Sequence, residues 1–367
     1  GAVAYAGPAK PELVVDLDAL ARNWRALDAR APTAETAAVV KADAYGCGLA
    51  PCARALHAAG ARTFFVAQTD EGVALREILG EGPVIHVLNG FAPDDAEAVR
   101  ARRLSPVLVS LPQIEAWLDA FARDPGVEPC GLHIESGINR MALTPGELDA
   151  LRRTPPAGLR VQLVMSHLAC ADDPANSMNG RQRGAFAGRS ALARPVAAGA
   201  RRSLAATGGV LLGAPFHLFL SRPWIGLCGG LPFGQAEPVA HLSAPLLQVR
   251  EIGRGETVGY GGTWTAARPS RIGVVPVGYA DGFFRTVSGA ITYLDGRPAP
   301  VVGRVSMDMI TVDLTDHPEP PAGAMLEILG RRQRVDDLAA AAGTIGYEVL
   351  TALGPRYRRR WAGGPAA

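Results

Sequence analysis

The sequence predicts a (β/α)8 barrel followed by a mostly β domain, and three observations support this α/β fold class. With 367 residues, 48% of them hydrophobic, the chain can form two domains, one of them a barrel of roughly 200 to 250 residues. From about residue 13 to 235, short apolar β-type runs alternate with helical stretches rich in Ala, Leu and Arg. After about residue 238 this alternation stops, and β-type segments are separated by Gly and Pro.

The first half contains roughly eight βα units, which favours a closed barrel over an open doubly wound sheet. No G-x-G-x-x-G motif follows an early strand, as a dinucleotide-binding fold would require. Helices are predicted between the strands, for example at residues 17–30, 50–59 and 111–122. The strand candidates are residues 13–15, 37–41, 63–67, 84–88, 105–109, 131–134, 160–166, 204–206 and 224–227.

The second half predicts a separate β-rich domain with one late helix at residues 335–342. We place the barrel domain at residues 11–236 and the β-rich domain at 237–367, and we expect the 1–10 tail to pack on the second domain. The strand candidates of this half are residues 245–251, 270–277, 290–294, 299–305, 309–314 and 325–329.

Composition excludes several classes of partner. A net charge of +2 offers no field for nucleic acid or membrane surfaces, and no run approaches the ~20 apolar residues of a membrane span. The opening residues lack the apolar core of a signal peptide, so we expect a cytoplasmic protein. The five cysteines are scattered without a C-x-x-C pair, and we expect no metal site.

Lysine usage is the most unusual compositional feature. Of the 37 basic residues 35 are arginines, and the two lysines are Lys10 in the Pro/Gly-rich tail and Lys41 at the end of an apolar run. A buried ammonium is unfavourable, and arginine cannot replace a primary amine that must lose its proton, as in Schiff-base chemistry. Lys41 is therefore a candidate catalytic amine, although a partly exposed lysine at a strand end is an equally good interpretation of this feature alone.

Eight motifs then agree with one family in order and spacing over nearly the whole chain. The barrel half contains VVKADAYGCGL at 39–49, HIESGINRMAL at 133–143, SHLACADD at 166–173 and SRPWIGLCGG at 221–230. The β-rich half contains ETVGYGGTW at 256–264, VPVGYADGFFR at 275–285, GRVSMDMITVDL at 303–314 and TIGYEVL at 344–350. Together they resemble the motifs of the pyridoxal-phosphate-dependent, fold-type-III alanine racemases.

The resemblance implies that Lys41 binds pyridoxal 5'-phosphate as an imine. Electron withdrawal by such an imine makes the Cα proton of an amino acid removable, and only a primary amine can form and exchange it. Tyr45 matches a phosphate-binding tyrosine of the family, although alone it could be an ordinary core aromatic.

Racemisation needs acid/base groups on both faces of Cα, and the resemblance implies that these are Lys41 and Tyr260. The unperturbed pKa of a phenol is near ~10, so Tyr260 needs nearby cations or donors to act as a base at neutral pH. His167 matches the neighbour that tunes the family's tyrosine. Without the motif, a histidine at a strand end is more often a satisfied core residue.

Arg222 matches the arginine that faces the pyridine nitrogen. Its permanent charge keeps that nitrogen unprotonated and so limits transamination. Related barrel decarboxylases place a carboxylate there, so Arg222 separates the two groups of enzymes. A surface ion pair would be the preferred interpretation of Arg222 without the surrounding motif.

The remaining matches concern the substrate and the phosphate. In the family, the β domain of one subunit completes the barrel site of the other, so the resemblance implies a homodimer in which Tyr260 and two further residues act in trans. The matches are Arg140 at the substrate carboxylate, Met307 with its backbone N–H at the same carboxylate, Tyr279 at the site entrance, and Thr207, Gly208 and Ile225 at the phosphate.

Four positions depart from the family pattern, and one of them is Thr207, which replaces the serine of the phosphate site. His133 stands where a lysine, often carbamylated, is usual, and a neutral or cationic histidine cannot hold Arg140 as an anion would. Glu135 or a bound chloride is then expected to orient Arg140. Trp224 stands beside the phosphate site, and Ala352 takes the place of a phosphate-contacting tyrosine if Pro355-Arg356 is the matching C-terminal pair.

We therefore expect the interconversion of L-alanine and D-alanine, which supplies D-alanine for peptidoglycan. Two alternatives are a racemase of different or broader scope, such as serine, and a barrel-only, non-catalytic protein of pyridoxal-phosphate homeostasis. The β-rich domain that carries Tyr260 argues against the second alternative, because such homeostasis proteins lack that domain.

Overall fold

Parallel strands and their connecting helices form a barrel in the first part of the chain. The computed structural model describes residues 3–4, 10–321 and 323–366. The strands up to residue 221 are β1 Val3–Ala4, β2 Glu12–Asp16, β3 Glu35–Thr36, β4 Ala38–Val39, β5 Thr63–Val66, β6 Val84–Val87, β7 Ser105–Leu108, β8 Cys130–His133, β9 Val161–Met165, β10 Arg201–Ser203 and β11 Leu220–Ser221. The helices are α1 Leu17–Arg30, α2 Lys41–Tyr45, α3 Leu49–Ala59, α4 Thr69–Leu79, α5 Ala96–Ala101, α6 Leu111–Phe121, α7 Pro145–Arg153, α8 Met178–Leu192, α9 Arg194–Ala197, α10 Thr207–Leu211 and α11 Ala214–His217.

The barrel closes through β11. Strands β4 to β10 pair in parallel in chain order, and β3 and β4 are two parts of one strand interrupted at Ala37. β11 pairs in parallel with β3, and the Arg222 N–H donates to the Ala205 carbonyl just after β10 at 2.8 Å. Counting β3–β4 as one, eight parallel strands in the described residues therefore surround a common interior, as the sequence predicts.

The helices begin where their sequences provide caps. The Asp16 carboxylate accepts from the Ala19 N–H at 2.9 Å at the start of α1, and Thr144 and Glu147 form a reciprocal capping box at the start of α7. Each capped helix buries one apolar stripe against the barrel, as Leu20 and Leu27 do on α1. No helix in the described residues is both long enough and apolar enough to cross a membrane.

The β-rich region forms mostly antiparallel sheets, in which β2 and β21 are the one parallel pair among the described residues. A six-stranded sheet has the order β18-β17-β20-β12-β2-β21, a four-stranded sheet has the order β1-β13-β16-β19, and β14 and β15 form a small hairpin. The elements are β12 Ala240–Pro245, β13 Gln248–Ile252, β14 Thr257–Val258, β15 Trp264–Thr265, β16 Ser270–Val275, β17 Ile291–Leu294, β18 Arg297–Pro300, β19 Ile310–Asp313, β20 Met325–Leu329, α12 Val335–Ala342, α13 Gly346–Thr351 and β21 Arg358–Ala362.

The prediction of residues 13–15 as a barrel strand is wrong. β2 instead lies in the six-stranded sheet, antiparallel to β12 and parallel to β21. Its residues alternate between buried and half-buried, with Leu13 and Val15 fully buried. Such alternation is typical of a sheet with one covered face, whereas a barrel strand is buried on both faces.

Two further barrel strands were placed too late in the sequence. The strands lie at residues 201–203 and 220–221, not at 204–206 and 224–227. Polar side chains obscure the first of them, because its sequence is Arg-Arg-Ser and Arg201 forms a half-buried ion pair with Glu35 at 3.0 Å. Residues 224–227 are apolar because they are buried in a turn, and this apolar run was mistaken for a strand.

The predicted helix at residues 335–342 is confirmed as α12, whereas α13 and β21 were not predicted. The predicted strand at residues 245–251 covers the end of β12 and most of β13. Within the predicted tail, β1 pairs with β13 in the β-rich region, while residues 1–2 and 5–9 lie outside the described residues.

One buried arginine fastens the barrel connections at the N-terminal ends of β6 and β7. Arg76 is 7% exposed and donates to four backbone carbonyls, those of Arg102 at 2.9 Å, Gly80 at 2.9 Å, Pro83 at 2.7 Å and Arg103 at 3.0 Å. Arg76 forms no salt bridge within the part of the chain that the structure describes, so these carbonyl dipoles stabilise the buried charge.

We expect Arg76→Met to lower the free energy of unfolding by about 2 to 4 kcal/mol, because buried carbonyls lose their donors. Urea unfolding followed by circular dichroism measures the change. Arg54→Met, at an exposed position of α3, is the control and should change stability by less than about 0.5 kcal/mol. Equal stability of the two variants would contradict this role of Arg76.

Candidate active site

A cavity of about 570 Å³ opens at the carboxyl ends of the barrel strands, where barrel enzymes bind their substrates. The described residues that line it include three cationic side chains and no carboxylate, so the cavity favours an anionic ligand. The lining residues are Val39, Lys41, Tyr45, Ala67, Leu88, Asn89, His133, Arg140, Met141, Met165, His167, Ala206, Thr207, Arg222, Trp224, Ile225, Ile345 and Tyr347.

Lys41 follows β4 directly and begins a left-handed turn. Residues 42–45 have φ values between 48° and 55°, although none of them is glycine. Left-handed backbone costs non-glycine residues roughly 1–2 kcal/mol each, so the turn needs external support. The Glu71 carboxylate accepts from the Ala42 N–H at 2.6 Å, and that of Asp43 accepts from the Leu49 N–H at 2.8 Å.

The surroundings of Lys41 favour its neutral amine. Burial lowers the pKa of Lys41, and the positive charges of Arg140 and Arg222 lower it further, while Glu71 partly opposes them. A primary amine with a lowered pKa is the form that attacks a carbonyl carbon. The cavity therefore holds Lys41 ready for imine chemistry.

Arg222 lies on the cavity floor, is 4% exposed and forms no salt bridge with a carboxylate of the described residues. It donates to the Ser203 hydroxyl at 2.5 Å and to the Ser166 carbonyl at 2.7 Å, and its guanidinium carbon lies 5.9 Å from the ring centre of Phe65. Burial lowers the pKa of Arg222 to about 9, so the group is still charged at neutral pH. The Ser203 hydroxyl, the Ser166 carbonyl and the Phe65 ring thus stabilise the buried guanidinium, as a carboxylate would in an ion pair.

The two cavity histidines are neutral at pH 7. Burial, together with the charges of Arg222 and Arg140, lowers the pKa of His133 to about 4 and that of His167 to about 3. The buried Nε2 atom of His133 has no hydrogen-bond partner among the described residues. Neither imidazole adds a cation to the cavity.

Hydroxyl groups collect at the other end of the cavity. The Tyr45 ring centre lies 4.8 Å from that of Trp224 and 6.0 Å from that of Tyr347. Burial raises the pKa of Tyr45 and raises that of Tyr347 to about 12, so both phenols stay protonated donors. The Thr207 hydroxyl accepts from the backbone N–H groups of Trp224 at 3.2 Å and Gly226 at 3.3 Å.

Tyr347 was missed as a site residue, although its motif TIGYEVL was identified. The sequence comparison assigned the second phosphate-contacting phenol to position 352, where Ala352 would mark its loss. In the structure Tyr347 at the start of α13 lines the cavity and Ala352 does not. Tyr347 is therefore a second phenol in the cavity, and the loss of a phosphate-contacting tyrosine at position 352 stays a prediction. Ile225 and Thr207 line the cavity as well.

Gly208 is buried behind this wall and does not line the cavity. A Cβ atom at Gly208 would lie 2.9 Å from the Cβ of Ala171, closer than side-chain atoms normally approach. A glycine at this position therefore allows α10 to pack closely against Ala171.

Arg140 lines the cavity, but Glu135 does not hold its guanidinium as the sequence suggested. The Glu135 carboxylate accepts from the backbone N–H groups of Gly137 at 2.6 Å and Asn139 at 3.0 Å. The Glu135 carbonyl in turn accepts from Arg189. Glu135 thus shapes the loop that leads to Arg140, and a bound chloride stays a prediction.

Three predicted site residues lie outside this cavity. Tyr260 is 72% exposed, Tyr279 41% and Met307 53%, all on loops of the β-rich region. The fold of one chain therefore does not bring them to Lys41.

The residues present fit pyridoxal phosphate. Lys41 supplies an amine, Arg222 a guanidinium on the floor, and Tyr45, Tyr347 and Thr207 supply hydroxyls for a phosphate. The excess of positive charge suits the dianionic phosphate.

Comparisons with known proteins agree with this geometry. The model of the alanine racemase N-terminal domain matches residues 15–232, and that of the alanine racemase C-terminal domain matches residues 239–361. Alanine racemase from Cereibacter sphaeroides (strain ATCC 17029 / ATH 2.4.9) is 51% identical over 355 residues, covering 95% of this chain and 97% of the relative. Alanine racemase from Dinoroseobacter shibae is 46% identical over 357 residues, covering 96% and 99%.

Solved structures give the same result. Alanine racemase from Bartonella henselae with covalently bound pyridoxal phosphate matches with a TM-score of 0.91 and 35% identity, covering 97% of this chain and 100% of that one. Biosynthetic alanine racemase from Pseudomonas aeruginosa matches with a TM-score of 0.90 and 36% identity, at the same coverage. The chain therefore belongs to the alanine racemase family, whose enzymes depend on pyridoxal phosphate.

Proposed function

We propose that this enzyme interconverts L-alanine and D-alanine with Lys41 and Tyr260 as its two proton-transfer groups. The observation that carries the proposal is the amine of Lys41, with its lowered pKa, in a cationic cavity that ends in three hydroxyls. When bound, pyridoxal phosphate withdraws electrons from the substrate Cα and makes its proton removable. The residues of the chain then have to bind the substrate and move the proton.

Lys41 has two roles in this proposal, attachment of the cofactor and proton transfer at Cα. Lys41 would hold the cofactor through its amine, and as a free amine it would be the group that takes or returns a proton at Cα. Arg222 below the cavity keeps its own proton and gives none to the pyridine nitrogen. Arg140 provides a guanidinium for the substrate carboxylate.

A second base is required on the opposite face, and the cavity of one chain lacks a suitable group among its described residues. The pKa values of Tyr45 and Tyr347 are raised, so these phenols are not bases at neutral pH. The pKa values of His133 and His167 are so low that their imidazoles are weak bases. The missing base therefore comes from outside this cavity.

Tyr260 supplies that base from the partner subunit of a homodimer in this proposal. Its high exposure in one chain supports the assignment, because a phenol that enters a neighbouring barrel must project from its own domain. His167 and Arg222 of the receiving barrel would lie near its hydroxyl and favour the phenolate.

The biological role is part of the same proposal. The D-alanine product would supply peptidoglycan synthesis in the cytoplasm. All five cysteines lie in the described residues and are free thiols, which suits a reducing compartment.

The function is tested by conversion of L-alanine to D-alanine, with serine as a second substrate to measure scope. We expect Tyr260→Phe to lower turnover about 10²- to 10⁴-fold while cofactor absorbance persists, because only the hydroxyl is removed. Tyr293→Phe, at a half-buried position on β17, is the matched control and should keep full activity. Racemisation by Tyr260→Phe at the rate of the control would refute the second base, and a purified enzyme inactive on alanine would refute the function.

Attachment of the cofactor to Lys41 is tested chemically. Borohydride reduction followed by peptide mapping should place one pyridoxyl group on Lys41, and none on Lys10, which lies outside the cavity. Lys41→Arg keeps the positive charge but cannot form an imine, so it should remain unlabelled. Label on Lys10 in either protein would overturn the assignment.

Sharing of the site between subunits is tested by mixing two inactive variants. Exchange between Lys41→Ala and Tyr260→Ala chains should restore activity, because one of the two sites in a mixed dimer has both groups intact. Tagged chains allow the mixed dimer to be isolated and assayed. If isolated mixed dimers are inactive, the two groups do not meet across the interface.

A further inference from the structure

Two loops of the β-rich region carry the residues proposed for the partner's site, and their backbones are joined directly. The loop after β16 holds Tyr279, and the loop before β19 holds Met307. The Tyr279 N–H donates to the Ser306 carbonyl at 3.0 Å, and the Ala280 N–H donates to the Met307 carbonyl at 3.0 Å. A Cβ at Gly278 would lie 2.3 Å from the Met307 oxygen, so only glycine allows this approach.

Arg356 fastens the same two loops through its side chain. Its Nε and Nη2 atoms donate to the two carboxylate oxygens of Asp281 at 2.8 and 3.0 Å, and its Nη1 donates to Asp308 at 2.8 Å. Asp281 is only 2% exposed, and its carboxylate also accepts from the Gly278 N–H at 3.0 Å. The Tyr357 hydroxyl donates to the Asp281 carbonyl. One guanidinium thus bridges a buried and an exposed carboxylate.

We propose that Arg356 is a positioning residue that sets Met307 in the geometry by which its N–H binds the substrate carboxylate in the partner's site, and Tyr279 beside it at the site entrance. The inference rests on the proposed function. Asp308 directly follows Met307, and Asp281 comes two residues after Tyr279, so the bridge fixes the distance between the two contact residues. The planar fork of arginine can hold both carboxylates at once, which the point charge of a lysine cannot.

The backbone N–H of Met307 is available for this task. Among the described residues, no acceptor forms a hydrogen bond with it, whereas the Met307 carbonyl is used by Ala280. The bridge formed by Arg356 therefore sets the direction of the Met307 N–H, which has no acceptor among the described residues. A shift of about 1 Å in such a donor weakens substrate binding strongly.

Arg356 could also act on the cavity of its own chain, and this effect has to be distinguished from its effect on the partner's site. The segment that leads to Arg356 follows α13, whose Tyr347 lines the cavity of its own barrel. The Gly354 N–H donates to the Asp281 carbonyl at 3.2 Å, so a disturbed bridge could also reach that cavity. Mixed dimers distinguish the two routes.

The first test uses two variants that keep the buried Asp281 beside a positive charge. We expect Arg356→Lys and Asp308→Asn to raise the KM for alanine about tenfold, with kcat within about twofold and cofactor absorbance unchanged. Arg360→Met is the matched control. Arg360 forms an exposed ion pair with Glu12 at 3.1 Å, and neither side chain forms a hydrogen bond with the loops that carry Tyr279 and Met307 among the described residues. An unchanged KM in both variants overturns the proposal, as does a raised KM that the control shares.

The second test places Arg356→Lys in a mixed dimer with Lys41→Ala. The only site with Lys41 then takes its loops from the chain that keeps Arg356, so we expect the KM of the wild-type enzyme. A KM that stays raised shows an effect within the same chain and overturns the proposal. The mixed dimer of Lys41→Ala with Tyr260→Ala is measured alongside: its inactivity would refute the shared site itself, whereas an active pair with unchanged KM values in the variants refutes only the role of Arg356.

Discussion

Burial of a guanidinium without a carboxylate is the constraint on which the active site depends. Arg222 is held by a serine hydroxyl, a backbone carbonyl and an aromatic ring, and none of these cancels its charge. A carboxylate in its place would cancel part of the positive charge that Lys41 and Arg140 bring to the cavity. Burial lowers the pKa values of His133, His167 and Lys41, and the positive charges of Arg140 and Arg222 lower them further, so the imidazoles stay neutral and the lysine amine loses its proton more readily. The same uncancelled charge attracts the two anions that the reaction needs, a phosphate and a carboxylate.

The sequence predicted those parts of the fold in which one residue type dominates. The barrel strands at 63–66, 84–87 and 105–108 are mostly apolar, and their predicted positions agree with the structure within one residue at each end. The strand at 201–203 was misplaced because its inward-facing residues are polar and take part in the charge network of the barrel interior. Periodicity cannot identify a strand whose buried face is charged, since its pattern imitates a solvent-exposed segment.

The sequence predicted which motifs belong to the site, but it did not predict every side chain of those motifs that lines the cavity. Lys41 was singled out by composition and by its motif, and the cavity contains it. Tyr347 was not, because a short helix after an unpredicted turn presents it to the cavity. The contacts of Glu135 show the same limit: residue spacing placed the carboxylate near Arg140, but the loop backbone takes its hydrogen bonds first.

The position of β2 has a consequence for synthesis of the chain. This strand ends at residue 16, yet its two neighbours, β12 and β21, begin at residues 240 and 358 and are synthesised much later. At about 5–20 residues per second, β2 remains without its sheet partners for on the order of ten to fifty seconds. An apolar strand left open for that time could pair with another nascent chain. Glu12 and Asp16 stand at its two ends, and their charges oppose such pairing while the barrel folds beside it.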